Sequence, residues 1–227
     1  MAPDPPGYYS QKLSAARLRR CYEIAPPRVK QYLQAEIDYV VSKIRAGDVV
    51  LELGCGYGRV IEPLSRWAGL TIGIDTSSES LQMGIRELKN LDNRLFLRMD
   101  AASLGFKDSV FDMVLCIQNG LSAFKVDQLS LMRESLRIAR PGGIALFSSY
   151  AEKFWPFRLH WFELQADEGL VGEIDYERTG DGVIVCRDGF RATTVGPEDF
   201  ERLAARLGVN PVVSEVDDSC VFCEIRK

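Results

Sequence analysis

Two groups of residues in this chain have the type and spacing to do chemistry. The first is Glu52-Leu53-Gly54-Cys55-Gly56-Tyr57-Gly58, set between the apolar run Val49–Leu53 and a stretch of helical character reaching about Trp67. Glycines at a strand-to-helix junction permit a tight turn and let a ligand approach the backbone closely. The N–H groups that open the following helix then face whatever carboxylate or phosphate sits above them. The second is Asp75, at the end of the next apolar run, Leu70–Asp75. A carboxylate there can accept both hydroxyls of a ribose. Each has a plainer reading, the first as a simple turn and the second as a helix-capping Asp before Thr76-Ser77. Together they favour a nucleoside-containing ligand held beyond the carboxyl ends of parallel strands.

The spacing of the glycines discriminates between nucleosides. A nicotinamide site requires G-x-G-x-x-G or A, and the third position here is Arg59, which cannot provide the close helix–strand contact. What stands instead is an acidic residue followed by G-x-G-x-G. In this the sequence resembles the class I S-adenosylmethionine-dependent methyltransferases, of the Rossmann-like, type 11/25-like small-molecule kind. The resemblance runs from about residue 30 to the end. It implies S-adenosylmethionine as cofactor and S-adenosylhomocysteine as product, with Gly54, Cys55 and Gly56 beside the methionine part and Glu52 near its ammonium. It further implies Asp75 and Thr76 at the ribose, Asp100-Ala101 at the adenine, and Ile117-Gln118-Asn119-Gly120 beside the reacting methyl group. Arg140-Pro141-Gly142-Gly143 matches the turn before the fifth strand. The residues keep their other readings: Asp100 as a loop carboxylate bonded to its own backbone, Asn119-Gly120 as an ordinary turn, Glu52 as half of a structural ion pair.

These residues need elements to position them. From Asp48 the chain alternates short apolar strands with longer helical segments: Val49–Leu53, Leu70–Asp75, Leu95–Leu97, Val110–Ile117 and Ile144–Ser148 are the expected strands. Such βαβα order, with strands too apolar for one-sided burial, predicts a three-layer α/β sandwich with helices on both faces of a mostly parallel sheet. Two final strands near Val212–Val216 and Val221–Ile225, joined by Asp217-Asp218-Ser219, form an antiparallel hairpin that brings the sheet to seven strands. The helical stretches before Ala46-Gly47 are amphipathic. Residues 150–165 read as aromatic-rich and irregular. Leu170–Val195 reads as a small antiparallel insertion turning at Thr179-Gly180-Asp181-Gly182 and Asp188-Gly189. The expected organisation is a helical lid over residues 1–46, a cofactor core over 47–150, a substrate-capping insertion over 151–196, and a helix with the terminal hairpin over 197–227.

Composition narrows the function. Of 227 residues 46% are hydrophobic, enough for a sizeable core, and the net charge of −4 argues against a nucleic-acid partner. No apolar run is long enough to span a membrane, and MAPDPPGYYSQK lacks a signal-peptide core, so a cytoplasmic protein is expected. Cys220 and Cys223 form a single C-x-x-C in a strand, where residues three apart point to opposite faces; packing thiols and no metal are expected.

At the acceptor end, His160, the only histidine, is the candidate general base or else a packing or surface residue. Trp155 and its aromatic neighbours are either a pocket wall or the core of the insertion. Tyr9 and Tyr22, with Tyr8, either close the site or pack helix against helix. Three functions follow: a small-molecule methyltransferase, a catalytically silent partner subunit of the same fold, and an NAD(P)-dependent oxidoreductase, which Arg59 disfavours.

Overall fold

The computed structural model describes residues 7–227; the first six residues of the expected N-terminal lid lie outside the described residues. Strands β1 (Val49–Leu53), β2 (Leu70–Asp75), β3 (Arg94–Arg98), β4 (Phe111–Cys116) and β5 (Ala139–Tyr150) are parallel and lie side by side in the order β3-β2-β1-β4-β5. The sheet continues with β9 (Cys220–Arg226), antiparallel to β5, and ends on β8 (Val212–Val216), antiparallel to β9. Strand order reverses between β1 and β4, which opens a crevice at their carboxyl ends where open α/β sheets bind ligands.

Alternate residues of each central strand feed opposite faces. Met113 and Leu115 of β4 join one core with α3 (Pro27–Val41), whose Val29, Tyr32, Leu33, Ile37 and Val40 are buried. Val114 and Cys116 join the other, with α7 (Gln128–Ile138) and α9 (Pro197–Leu207). This is the predicted sandwich, and period-two alternation with both faces covered is its cause. Cys220 and Cys223 fall in the two different cores, on opposite faces of β9. Among the described residues, no helix is long and apolar enough to cross a membrane.

The remaining segments frame the crevice. The short helices α1 (Tyr8–Lys12) and α2 (Ala15–Glu23) lie beyond the strand ends. They are fastened to α5 (Ser78–Glu87) through Ala15 N–H to Ser80 Oγ at 2.8 Å and Ser14 Oγ to Glu79 at 3.0 Å. Arg20 also grips Glu168 with both arms of its guanidinium, at 2.6 and 2.7 Å.

Three local expectations are corrected. Residues 150–165, expected to be irregular, run from the end of β5 into helix α8 (Trp155–Asp167). Its buried face is Arg158, Trp161, Phe162 and Gln165, half polar, while Phe157 is exposed, so the apolar period that marks a helix is scrambled. Beyond α8 the expected antiparallel insertion is present: β6 (Ile184–Val185) pairs with β7 (Arg191–Ala192) around Asp188-Gly189, and isolated antiparallel bridges join Ile174 to Cys186 and Gly180 to Val183. The helix after the glycine loop, α4 (Ile61–Ser65), begins three residues later than Gly58 and is only five residues long. Arg140–Gly143, exposed except at Gly143, is a bulge within β5: Ala139 already pairs with Phe111 before regular pairing resumes at Ile144 and Met113.

Candidate active site

A cavity of about 520 Å³ opens at the carboxyl ends of β1, β2 and β4, roofed by α1 and α2 and closed at its far end by α8 and the insertion. Its floor carries three carboxylates from consecutive positions across the sheet: Glu52 of β1, Asp75 of β2, and Asp100 just after β3.

Glu52 is buried, and its Oε2 has no hydrogen-bond partner. Burial pushes its carboxyl up to about 8, against the pull of the Arg59 guanidinium and with help from the negative charges of Asp75 and Glu36. Asp75 is raised by burial, held down in turn by the amides it binds. It accepts Gly56 N–H at 2.9 Å and Ser77 N–H at 2.8 Å, and so ties the glycine loop to the start of α5. Asp100 is exposed at the cavity edge and accepts Ala102 N–H at 2.8 Å.

The loop itself is tightly folded. Gly54 has φ +73°, and a Cβ there would stand 2.5 Å from the Phe124 ring, so only glycine fits. The expected free amides are spoken for: Gly54 and Cys55 N–H both donate to Ile74 O, and Gly56 N–H donates to Asp75. The loop therefore offers close approach more than open donors.

Residues beyond β4 complete the wall. Gln118 (φ +53°) and Asn119 (φ +62°) are consecutive non-glycine residues in the left-handed region, a conformation that needs the surroundings to enforce it. The enforcement is visible. Gln118 N–H donates to Ser148 Oγ at 2.9 Å and to the buried Glu36 carboxylate at 3.3 Å, and Tyr22 O–H donates to Gln118 Oε1 at 3.0 Å. Glu36 also accepts a hydrogen bond from Ser148 Oγ, and burial raises its carboxyl to about 7. Tyr22 stacks on Arg59, whose guanidinium carbon is 4.7 Å from the ring centre.

Of the expected cofactor residues, Glu52, Gly54, Asp75, Thr76, Asp100, Ala101, Ile117 and Gln118 line this cavity. Cys55 and Gly56 do not. The Cys55 thiol points down against Gly73, where an added Cβ would lie 2.6 Å from its sulfur, and Gly56 is turned towards Asp75. Tyr9 and Tyr22 line the cavity, as does Tyr8.

Asn119, Trp155 and His160 lie outside its wall. Asn119 is buried and bonded away from it, donating to Thr193 O at 2.7 Å and accepting from Ser149 Oγ at 2.8 Å. It pins the insertion to the core. His160 lies on the outer side of α8, 58% exposed, with Nδ1 3.5 Å from Glu163. Trp155 is at the start of α8, with its ring 5.8 Å from the Arg158 guanidinium carbon.

Sequence reasoning missed Tyr150, Phe124 and Phe190, which line the cavity, and Glu36 behind it. The signal for Glu36 was a carboxylate inside the apolar stripe of α3, between Tyr32 and Val40. The three aromatics give no such signal, because each sits in an otherwise ordinary apolar pattern.

Residues 50–143 match the family model described as Methyltransferase domain. The chain is 27% identical over 137 residues to 2-methyl-6-phytyl-1,4-hydroquinone methyltransferase of Synechocystis sp., covering 56% of this chain and 42% of that protein. It is 34% identical over 175 residues to arsenite methyltransferase of Aquipseudomonas alcaligenes, covering 71% of this chain and 44% of that one. The chain thus spans less than half the length of these curated relatives. Among solved structures it resembles the DhpI-SAM-HEP complex, with a TM-score of 0.66 and 22% identity over 97% of this chain and 94% of the other, a likeness of fold. Residues 50–143 are thus similar to a methyltransferase domain, carried in a chain whose Rossmann-like fold is shared with the DhpI-SAM-HEP complex.

Proposed function

We propose that the protein is an S-adenosylmethionine-dependent methyltransferase acting on a small-molecule acceptor. The observation that carries this reading is the set of three carboxylates at the ends of neighbouring strands, lining one cavity. The buried, unpartnered Glu52 Oε2 fits an ammonium group, since a buried acceptor without a donor is costly until one arrives. Asp75 has lone pairs left over for a ribose diol after binding Gly56 and Ser77. Asp100 and Ala101 stand where an adenine edge would lie, and Gly54, packed under the Phe124 ring, lines the same cavity.

S-adenosylmethionine supplies an electrophilic methyl group on a sulfonium, so the demanding chemistry belongs to the cofactor. The chain's task is to hold an acceptor atom about 3 Å from that methyl, in line with the sulfur. Gln118 and Ile117 are placed to shape the junction between the two halves of the cavity, and α1 and α2 serve as the cover that excludes water. The segment 151–196 serves as the acceptor cap, and 197–227 completes the sheet of the core. With His160 facing outward, the best-suited acceptors carry their own nucleophile, a neutral amine or a thiolate. Six free cysteines, all buried, suit a reducing cytoplasm.

Calorimetry with S-adenosylhomocysteine, with NADH in parallel, tests the cofactor. Transfer of label from a methyl-labelled donor to an acceptor panel tests the reaction. Saturable binding of S-adenosylhomocysteine alone supports the reading. Binding of NADH instead overturns it.

A further inference from the structure

Arg158 is the largest fully buried side chain among the described residues, and it carries a charge. Among those residues no carboxylate pairs with it. Its Nη1 donates to Gly182 O at 2.8 Å and its Nη2 to Thr193 O at 3.3 Å, while its Nε has no partner at all. Two carbonyl dipoles do not neutralise a cation. Burial lowers the pKa of the guanidinium, with only the phenols of Tyr150, Tyr9 and Tyr32 acting against this. Buried charges are ordinarily paired, because an unpaired one is strongly destabilising. The faces of Tyr150, Trp155 and Phe162 attract the cation but bring no opposite charge to it.

The cavity lies one layer away. The guanidinium carbon is 4.4 Å from the centre of the Tyr150 ring and 5.8 Å from that of Phe162, and both rings are cavity wall. The wall has two unlike halves. Its carboxylates, Glu52, Asp75 and Asp100, all stand at the strand ends. The half built by α1, α8 and the insertion is aromatic, from Tyr8 and Tyr9 to Trp161, Phe162 and Phe190, with Arg191 at its rim and no described carboxylate in its lining. Charges close to a low-dielectric wall act through it with little screening. The lining carboxylates therefore all stand at the end that suits the cofactor, while at the other end Asp188 is engaged by Tyr8 and Lys12 and the buried Arg158 has no opposite charge.

We propose that the acceptor is an anionic small molecule with an apolar or aromatic body, whose carboxylate or phosphonate is held at the α8 end by the field of Arg158. This extends the methyltransferase reading to a substrate class, and rests on it only for the word acceptor. The anion preference is a property of the cavity whether or not the cofactor assignment stands.

The test is calorimetry of the full chain with four matched probes: phenylacetate, benzylphosphonate, phenylacetamide and phenethylamine. Each is titrated with and without saturating S-adenosylhomocysteine. At least one anion is expected to bind about tenfold or more tighter than the amide, with the amine weakest. Whichever of the two anions binds better identifies the headgroup. The preference should persist at about 0.5 M salt, where exposed rim charges are screened over roughly 4 Å but a buried one is not. Arg158→Met should bring acid and amide level, and Arg158→Lys should keep part of the difference. If Arg158→Met does not fold, the salt series on the unaltered protein still decides. Equal binding of acid and amide, tighter binding of the amine, collapse of the preference in salt, or binding of none of the probes overturns the proposal. Failure of S-adenosylhomocysteine to bind while the anion preference holds would sink the cofactor reading and leave this one standing.

Discussion

Binding of S-adenosylhomocysteine should release a proton from Glu52, and the size of that release follows from the site. In the ligand-free protein burial lifts the carboxyl to about 8, well above the usual 4.5. At pH 7 roughly nine in ten molecules therefore carry the proton. An ammonium at the unpartnered Oε2 favours the ionised form and returns the pKa towards the ordinary carboxylate range. About 0.9 proton should leave per ligand bound at pH 7, and affinity should rise roughly 50-fold from pH 6 to pH 8 before levelling off. Calorimetry at pH 7 in two buffers of different ionisation enthalpy measures the release directly. Glu52→Gln should abolish it and weaken binding at pH 8 by roughly 10- to 100-fold, the worth of one charge-assisted hydrogen bond. The nearby Glu36, also raised, is separated from Glu52 by running the same experiment on Glu36→Gln, which should still release a proton. Buffer-independent enthalpy with a flat pH profile would refute the assignment of Glu52 to the ammonium.

The ligand-free protein should lose stability as pH rises from about 5 to 8. The raised carboxyls of Glu36 and Glu52 bind more protons in the folded than in the unfolded state over that window, and thermal melts with no downward trend would contradict this. Asp75→Ala should weaken S-adenosylhomocysteine roughly 10- to 100-fold while leaving the far-ultraviolet spectrum intact; unchanged affinity would remove Asp75 from the ribose. Gly54→Ala should destabilise by about 1–2 kcal/mol from its positive φ alone, and more from the clash with Phe124. Adding Phe124→Ala should recover only the steric part, which a double-mutant cycle of melts would reveal. His160→Ala should change stability by no more than about 0.5 kcal/mol and leave cofactor binding as it was. A large loss of either would mean α8 turns its other face to the site.

The parts of the molecule legible in the sequence are those whose physics is local. A run such as Val49–Leu53 ending in Glu52 and followed by three spaced glycines announces a buried strand and a tight turn, because propensity, burial and backbone freedom agree there. The terminal hairpin was legible for the same reason. Helix α8 was not: its inward face carries Arg158 and Gln165 while Phe157 is exposed, so local pattern and tertiary position disagree. The same disagreement misplaced His160 and Trp155, which share an aromatic stretch with Trp161 and Phe162 but lie outside the cavity those two line. Asn119 was misread in another way. Its partners Ser149 and Thr193 are distant in sequence, and nothing in Asn119-Gly120 distinguishes a clamp from a site.

The two halves of the cavity differ in how they are written into the chain. The cofactor half is made of strand ends, and each residue there is placed by its own strand: Glu52 by β1, Asp75 by β2, Gln118 by the exit from β4. Their further ties, Gln118 to Ser148, Glu36 and Tyr22 and Asp75 to Gly56 and Ser77, involve no residue of the insertion. The acceptor half is assembled from α1, α8 and the insertion. Tyr8 and Lys12 of α1 meet the insertion at Asp188, while Asn119, Arg158 and Ser149 tie Thr193, Gly182 and Val195 into place. Those ties are side chain to backbone, and so they do not depend on which side chains the insertion presents to the cavity. The insertion can change its lining while keeping its attachment. On the proposed reading the fold separates a fixed cofactor floor from an adjustable acceptor wall, and Arg158, which fastens the insertion at Gly182 behind the Tyr150 and Phe162 rings, stands where the two requirements meet.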